Sequence, residues 1–192
     1  MREPRKLFGG LGNRLFQMAY LHAQEANGAI PDIYVQDPKY FENVGNKMRL
    51  MYRDGILENP LISLHIRRGD YLNNPVYVDL TQTDYYDRAI AQFPGETFLV
   101  FCADRQQGSD DISDREWCDT FLASKGIDYE FADGKDEIED FNLMAGCKGH
   151  IMANSSFSWW ASYAGSGKTV APRDWFSDGI QRVGLLEEWI TI

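Results

Sequence analysis

Leu61-Ile62-Ser63-Leu64-His65-Ile66-Arg67-Arg68-Gly69-Asp70-Tyr71 is the stretch that decides the fold. Its apolar half has the length and composition of a buried strand, and its polar half begins where such a strand would leave a sheet. Two guanidiniums at that point predict an anion held at the carboxyl edge of the sheet, the edge at which open α/β folds bind ligands. His65 and Arg67 share one face of the extended chain, which makes Arg67 the more inward of the two arginines. Gly69 permits the turn that would bring at least one of them to a cleft. The same residues also suit a plain surface pair bridged to Asp70. An adhesion tripeptide at Arg68-Gly69-Asp70 is disfavoured, because those residues abut a core strand instead of a flexible loop.

Downstream of this strand, short apolar runs alternate with helical patterns. Positions 61–66, 97–102, 127–131, 150–153 and 169–171 predict strands, and 84–93, 114–124, 137–147 and 156–164 predict helices. That β-α-β-α order implies an α/β fold with a mostly parallel sheet covered on both faces. The first 60 residues read differently: a short strand near 6–8, a turn at Gly9-Gly10-Leu11-Gly12, then an apolar helix over about 13–27. From 32 to 59 the polarity is mixed and Pro38, Gly45, Gly55 and Pro60 interrupt it, which predicts loops and short helices and a domain boundary near residue 60.

The charge balance narrows the ligand class. With 29 acidic and 19 basic residues the chain carries a formal charge of −10, so its overall field opposes nucleic acid and anionic membrane surfaces. A small anion is still admissible, because two arginines in one pocket outweigh a background screened over about 10 Å. Cys102, Cys118 and Cys147 are widely spaced and odd in number, which predicts free thiols in a reducing compartment. His22, His65 and His150 are scattered, so no zinc site is expected. No apolar run reaches the roughly 18 residues of a membrane span, and the opening residues are too short for a signal peptide. A cytoplasmic location is the expectation, and a piece of a larger protein fits equally.

Four further segments can bear on chemistry. Asn154-Ser155-Ser156-Phe157-Ser158-Trp159-Trp160 follows a predicted strand and opens a helix, placing hydroxyl caps and free N–H groups at a positive helix end that suits phosphate or ribose oxygens. Two such anion sites on neighbouring strand ends could hold one diphosphate. A plain N-cap followed by core aromatics fits as well, and Trp159 and Trp160 are assigned to packing. Gly9-Gly10-Leu11-Gly12-Asn13 permits close backbone approach to a ligand, or is an ordinary turn, and it lacks the third glycine of a dinucleotide fingerprint. Gly165-Ser166-Gly167-Lys168-Thr169 is not a P-loop, because Ser162 stands where its first glycine belongs and a strand follows. Asp140 has the chemistry to accept both the ring N–H and the exocyclic amine of guanine, or simply serves the first turn of a helix. Asp136, Glu137 and Glu139 have equal claims on spacing alone.

In this order the pieces resemble the α-1,2-fucosyltransferases of glycosyltransferase family 11. The resemblance runs through Gly9-Gly10-Leu11-Gly12-Asn13, then His65-x-Arg67-Arg68-Gly69-Asp70-Tyr71 with Asn73-Asn74-Pro75, and Asp84-Tyr85-Tyr86. It continues through Asp140-Phe141-Asn142-Leu143-Met144, the Asn154 to Trp160 segment and Ala171-Pro172-Arg173-Asp174-Trp175-Phe176, covering about residues 7–28 and 61–192.

The resemblance implies a GT-B-type glycosyltransferase with a Rossmann-like parallel sheet. Residues 61–192 would form the GDP-sugar-binding domain and residues 1–60 a truncated, acceptor-side N-terminal lobe. The implied reaction is an inverting, metal-independent transfer of L-fucose from GDP-β-L-fucose to a glycan hydroxyl, the 2-OH of a galactoside, with no cofactor. By position, Arg67 would bind the β-phosphate with Arg68 in support, and His65 and Asp140 would lie near the guanosine. Ser155, Ser156 and Phe157 would line the diphosphate side, while Gly10 and Asn13 would face donor or acceptor. Asp70 is the candidate base, or a brace for Arg68.

Two departures stand out. Arg14 occupies a position where the family usually has glutamine, and the span from Arg14 to Ser63 is much shorter than the family's. A second copy of the chain could supply the missing lobe surface. A GDP-sugar-binding protein without transfer, or a transferase of another GDP-sugar, shares the same donor features.

Overall fold

The computed structural model describes residues 7–23, 35–42, 45, 49–50, 53, 55–72, 74–103 and 112–192. Within them six strands form one sheet with parallel pairing throughout: β1 (Asn59–His65), β2 (Phe98–Phe101), β3 (Tyr129–Phe131), β4 (Cys147–Ile151), β5 (Lys168–Ala171) and β6 (Ile190–Thr191). Their order is β3-β2-β1-β4-β5-β6. A parallel sheet must be covered on both faces, so its strands are apolar runs instead of alternating ones. All four residues of β2, Phe98-Leu99-Val100-Phe101, are buried.

The period-two geometry of the strands sorts these side chains between two cores. Leu99 and Phe101 join one cluster with residues of α1 (Leu11–Ala23), α4 (Glu137–Gly146) and α5 (Ser156–Ala164). Phe98 and Val100 join the other, with residues of α2 (Tyr85–Ile90) and α3 (Asp114–Ala123). Local chemistry starts these helices where the sequence indicates. Asp136 caps α4 by accepting from the N–H groups of Ile138 and Glu139, and Ser113 and Glu116 form a capping box on α3. From Ser158 to Ala164 every residue of α5 is buried, as befits a helix apolar on all sides.

Several elements differ from expectation. The strand expected at 150–153 begins at Cys147, because α4 passes into β4 without a loop and the exposed Lys148 is paired with Glu96 at 2.6 Å. No residue can replace Gly146 at that junction without a clash, since a Cβ there would lie 2.1 Å from the Leu57 carbonyl oxygen. β6 is two residues long, too short to leave a periodic signal. Leu7 and Phe8 do not form the expected strand. Instead the Phe8 N–H donates to Gln17 Oε1 (3.1 Å) and Gln17 Nε2 donates to the Phe8 carbonyl (2.9 Å), so an α1 side chain satisfies backbone groups that a ladder would have used. Lys6 of that expected strand and residues 24–27 of the first expected helix lie outside the described residues. None of the three cysteines forms a disulfide; Cys118 and Cys147 are buried, and burial pushes the Cys147 thiol up to about 12.

α1 is seated directly against the start of α5. A Cβ on Gly12 would come 2.3 Å from the Ser156 carbonyl carbon, and Phe16 packs on Trp159 and Trp160 with ring centroids 4.6 and 5.1 Å away. Both tryptophans are fully buried. The Gly12→Ala variant should therefore force the two helices apart and cost about 1–3 kcal/mol, the usual range for overpacking. Urea unfolding is the check, and an unchanged midpoint would contradict this seating.

Candidate functional site

The strand order reverses direction between β1 and β4, so the crevice of the fold opens at their carboxyl ends. Side chains from distant segments hold the two ends in place. The Tyr86 hydroxyl donates to the His65 carbonyl (2.9 Å), and the Tyr71 hydroxyl donates to the Asn154 carbonyl (3.1 Å). Asn154 Nδ2 donates in turn to the carbonyls of Val78 (2.8 Å) and Trp175 (3.2 Å). Tyr71, Tyr86 and Asn154 thus frame the site, although only their place in motifs marked them in the sequence.

The adjacent arginines part company. Arg67 stays at the crevice, with its Nη2 donating to Asp70 Oδ1 at 2.5 Å and its guanidinium 5.2 Å from the Tyr71 ring centroid. Arg68 turns away and is buried: its Nε donates to Asp114 Oδ1 at 3.1 Å, and its guanidinium lies 3.7 Å from the Trp117 ring. Asp70 therefore pairs with Arg67, where the sequence left a bridge to Arg68 open. Arg68 anchors α3 behind β1 instead of standing beside Arg67 at the crevice.

His65, the last residue of β1, is buried beside Phe157, with ring centroids 6.0 Å apart. Burial, and then the charge of Arg67, hold its imidazole down to about 3, so it is neutral near pH 7. Its Nδ1 and the Nε of Arg67 are both shielded from solvent and have no hydrogen-bond partner among the described residues. A buried polar atom left unpaired costs on the order of 1–3 kcal/mol. Two such nitrogens at one strand end are what a binding site presents before its ligand completes the bonds.

Across the crevice Ser155 caps α5, its hydroxyl accepting from the Phe157 N–H at 3.3 Å, and the first turn of α5 presents the positive end of the helix. Phe157 also packs edge-on against Phe141 of α4 at 6.0 Å, linking the His65 side of the site to the helix that carries Asp140. Asp140 is half-buried and lines a small recess at the ends of β2 and β3 with Phe101, Cys102, Arg115 and Phe131. Burial raises its carboxyl from the ordinary value, the Gly134 N–H opposes this, and the nearby charges of Asp136, Asp133 and Glu139 add to it.

At the start of α5 lies a cavity of about 590 Å³, lined by Asn13, Gln36, Tyr71, Tyr77, Ser156 and Trp175 among others. Asn13 Oδ1 accepts from Gln36 Nε2 at 2.5 Å, Gly10 borders open space, and Arg14 pairs with Glu137. The structure thus brings His65 against Phe157, Arg67 against Asp70 and Ser155 against Phe157. Asn13 and Ser156 lie in the wall of the cavity, Asp140 in the separate recess, and Arg68 apart from them. No group of three or more His, Cys, Asp or Glu side chains suited to a metal is present among the described residues, and none of their helices is long and apolar enough to cross a membrane.

A parallel sheet in this order, with an arginine and a helix N-terminus at its switch point, is the Rossmann-like architecture of nucleotide-binding domains. Residues 11–192 match the model of glycosyl transferase family 11, and the chain belongs to that family, whose fold is of the GT-B type. The chain is 30% identical over 162 residues to the O-antigen biosynthesis glycosyltransferase WbnK of Escherichia coli, covering 78% of this chain and 50% of that one. It is 38% identical over 128 residues to an alpha-1,2-colitosyltransferase of Escherichia coli, covering 60% and 41% respectively. It is 31% identical over 144 residues to the galactoside alpha-(1,2)-fucosyltransferase 1 of Saimiri sciureus, covering 67% and 35%. The chain spans half or less of the length of these relatives. No solved structure matches it.

Two predictions follow from the buried charges. Asp114→Ala leaves the Arg68 guanidinium buried without its partner and should cost about 3–5 kcal/mol. Replacing both residues by apolar ones of similar volume should restore most of that loss in chemical denaturation. His150, which shares a 2.9 Å bond between its Nδ1 and the Ser63 hydroxyl, is held down to about 4 by burial. Because the unfolded chain binds protons to both buried histidines below about 6.5 and the folded chain does not, stability should fall as pH drops from 6.5 through 4 toward 3. His150→Gln should flatten the part of that slope between 6.5 and 4 in urea titrations, and an unchanged slope would contradict the assignment.

Proposed function

We propose that this chain is an inverting, metal-independent fucosyltransferase that moves L-fucose from GDP-β-L-fucose to a glycan hydroxyl, the 2-OH of a galactoside. The observation that carries this reading is the pair of shielded, unpartnered nitrogens on His65 and Arg67, set opposite the N-terminus of α5. In it the guanine lies against Asp140 at the surface of its recess, the diphosphate bridges Arg67 and the Ser155-Ser156-Phe157 turn, and the sugar points toward Asn13 and Gly10. Arg68 supports Arg67 from behind through the backbone they share. Residues 1–60 act as a reduced acceptor-side lobe.

The chemistry asks little more of the protein. Breaking the bond between the anomeric carbon and the diphosphate builds negative charge on a good leaving group, and a fixed guanidinium stabilises it without a metal. Asp70, the carboxylate bonded to Arg67, both braces that guanidinium and is the base we assign to the acceptor proton. The relatives named as a galactoside fucosyltransferase and a colitosyltransferase support transfer to glycans and leave the donor sugar as the variable part. A second reading, a GDP-sugar-binding protein without transfer, rests on the same donor features.

GDP at 100 times its dissociation constant should stabilise the protein by about 2.7 kcal/mol, and ADP or UDP should not. Arg67→Ala should keep the fold and lower turnover by about 10²–10³-fold, the usual cost of removing one such contact. Release of GDP from GDP-fucose, followed with and without glycan acceptors, is the deciding assay. Acceptor-dependent release identifies a transferase, its absence the binding protein, and wild-type turnover by Arg67→Ala removes the leaving-group assignment.

A further inference from the structure

We propose that the 590 Å³ cavity at the start of α5 is a binding subsite for a neutral pyranose, the acceptor ring of the transfer. This rests on the donor reading above. Along the carboxyl edge of the sheet the recess of Asp140 lies at β2 and β3, the Arg67 crevice at β1 and β4, and the cavity toward Trp175 and Phe176 after β5. Two residues join crevice to cavity. Ser156 opens α5 and lines the cavity, and the ring of Tyr71 lies both in its wall and 5.2 Å from the Arg67 guanidinium. A sugar held there lies beside the crevice and can turn a hydroxyl to the anomeric carbon from the face opposite the departing diphosphate.

The lining has the chemistry of a sugar site. Tyr71 and Tyr77 stack in parallel with centroids 4.1 Å apart, and Phe176 lies 5.6 Å from Tyr77, giving an aromatic wall for the C–H face of a pyranose. Asn13, Gln36 and Ser156 supply amide and hydroxyl groups that donate and accept, matching sugar hydroxyls. The two ionic lining residues cancel each other. Arg182 binds Asp178 through two bonds, Nη1–Oδ1 at 3.0 Å and Nη2–Oδ2 at 2.5 Å, and also lies 4.9 Å from the Phe176 ring. With that charge matched within the protein, the cavity selects a neutral ring over an acidic one. Its volume falls in the range of roughly 300–1,000 Å³ seen for whole small-molecule sites, well beyond the needs of a lone phosphate. Asn13 and Gln36 come from the first 60 residues and not from the sheet domain, which assigns the occupant to the acceptor side.

The test is saturation-transfer NMR on the full chain with GDP present, using methyl β-galactoside, methyl β-glucoside and methyl α-mannoside as neutral probes and the methyl galactosiduronate as the acidic one. At least one neutral probe should bind saturably and the acidic probe more weakly. Phe176→Ala and Arg182→Ala should each weaken that probe by about tenfold while GDP affinity stays within about twofold. Absence of binding by every neutral probe, preference for the acid, unchanged binding in both variants, or a parallel loss of GDP affinity overturns the proposal. Sugar binding that persists in a protein unable to bind GDP removes the donor reading instead and leaves the cavity as a sugar site.

Discussion

The parallel pairing of β1 with β4 is the constraint on which the rest of the structure depends. Ile62, Ser63 and Leu64 lie in register with Gly149, His150 and Ile151, and this is where the sheet changes direction. Gly149 is required for the contact, since a Cβ there would lie 2.8 Å from Phe93 and 3.0 Å from Ile62. Once the two strands are adjacent, the polar residues that follow each of them must meet at one edge. The guanidinium of Arg67 and the capped helix start at Ser155 lie at one edge of the sheet for that reason.

Electrostatics then assigns different work to neighbouring residues of the same type. Arg68 has a buried carboxylate and an aromatic face to itself, and it is held there whatever occupies the crevice. Arg67, half-exposed, pairs with the exposed carboxylate of Asp70, a contact that solvent screens. His65 stays neutral because burial and the guanidinium beside it both oppose its protonation. A neutral imidazole offers one donor and one acceptor, which a second cation would not supply.

Legibility followed the range of the interactions. Strands of four or more apolar residues, the capped starts of α4 and α5, and the buried tryptophans were readable because periodicity and capping act within a few residues. Strand alternation made Arg67 the more inward arginine, whereas Arg68 is the one the fold buries and Arg67 stays half-exposed, because Asp114 and Trp117 offer Arg68 a buried partner. The start of β4 was missed because its first charged residue, Lys148, is accommodated by Glu96, 52 positions away. The strand near residue 8 was displaced for a similar reason: Gln17 offered its backbone a better partner.

By itself the sequence determined the α/β class, the strand that ends at His65, the helix N-terminus at Ser155 and a family resemblance that the match over residues 11–192 bears out. Only the tertiary structure decided that Arg68 serves Asp114 across 46 positions, that Tyr71 fastens to Asn154 across 83, and that a cavity opens at Ser156. Local order along a chain states which groups are available. Which of them meet is set by burial and by the need to pair every polar group that burial removes from water.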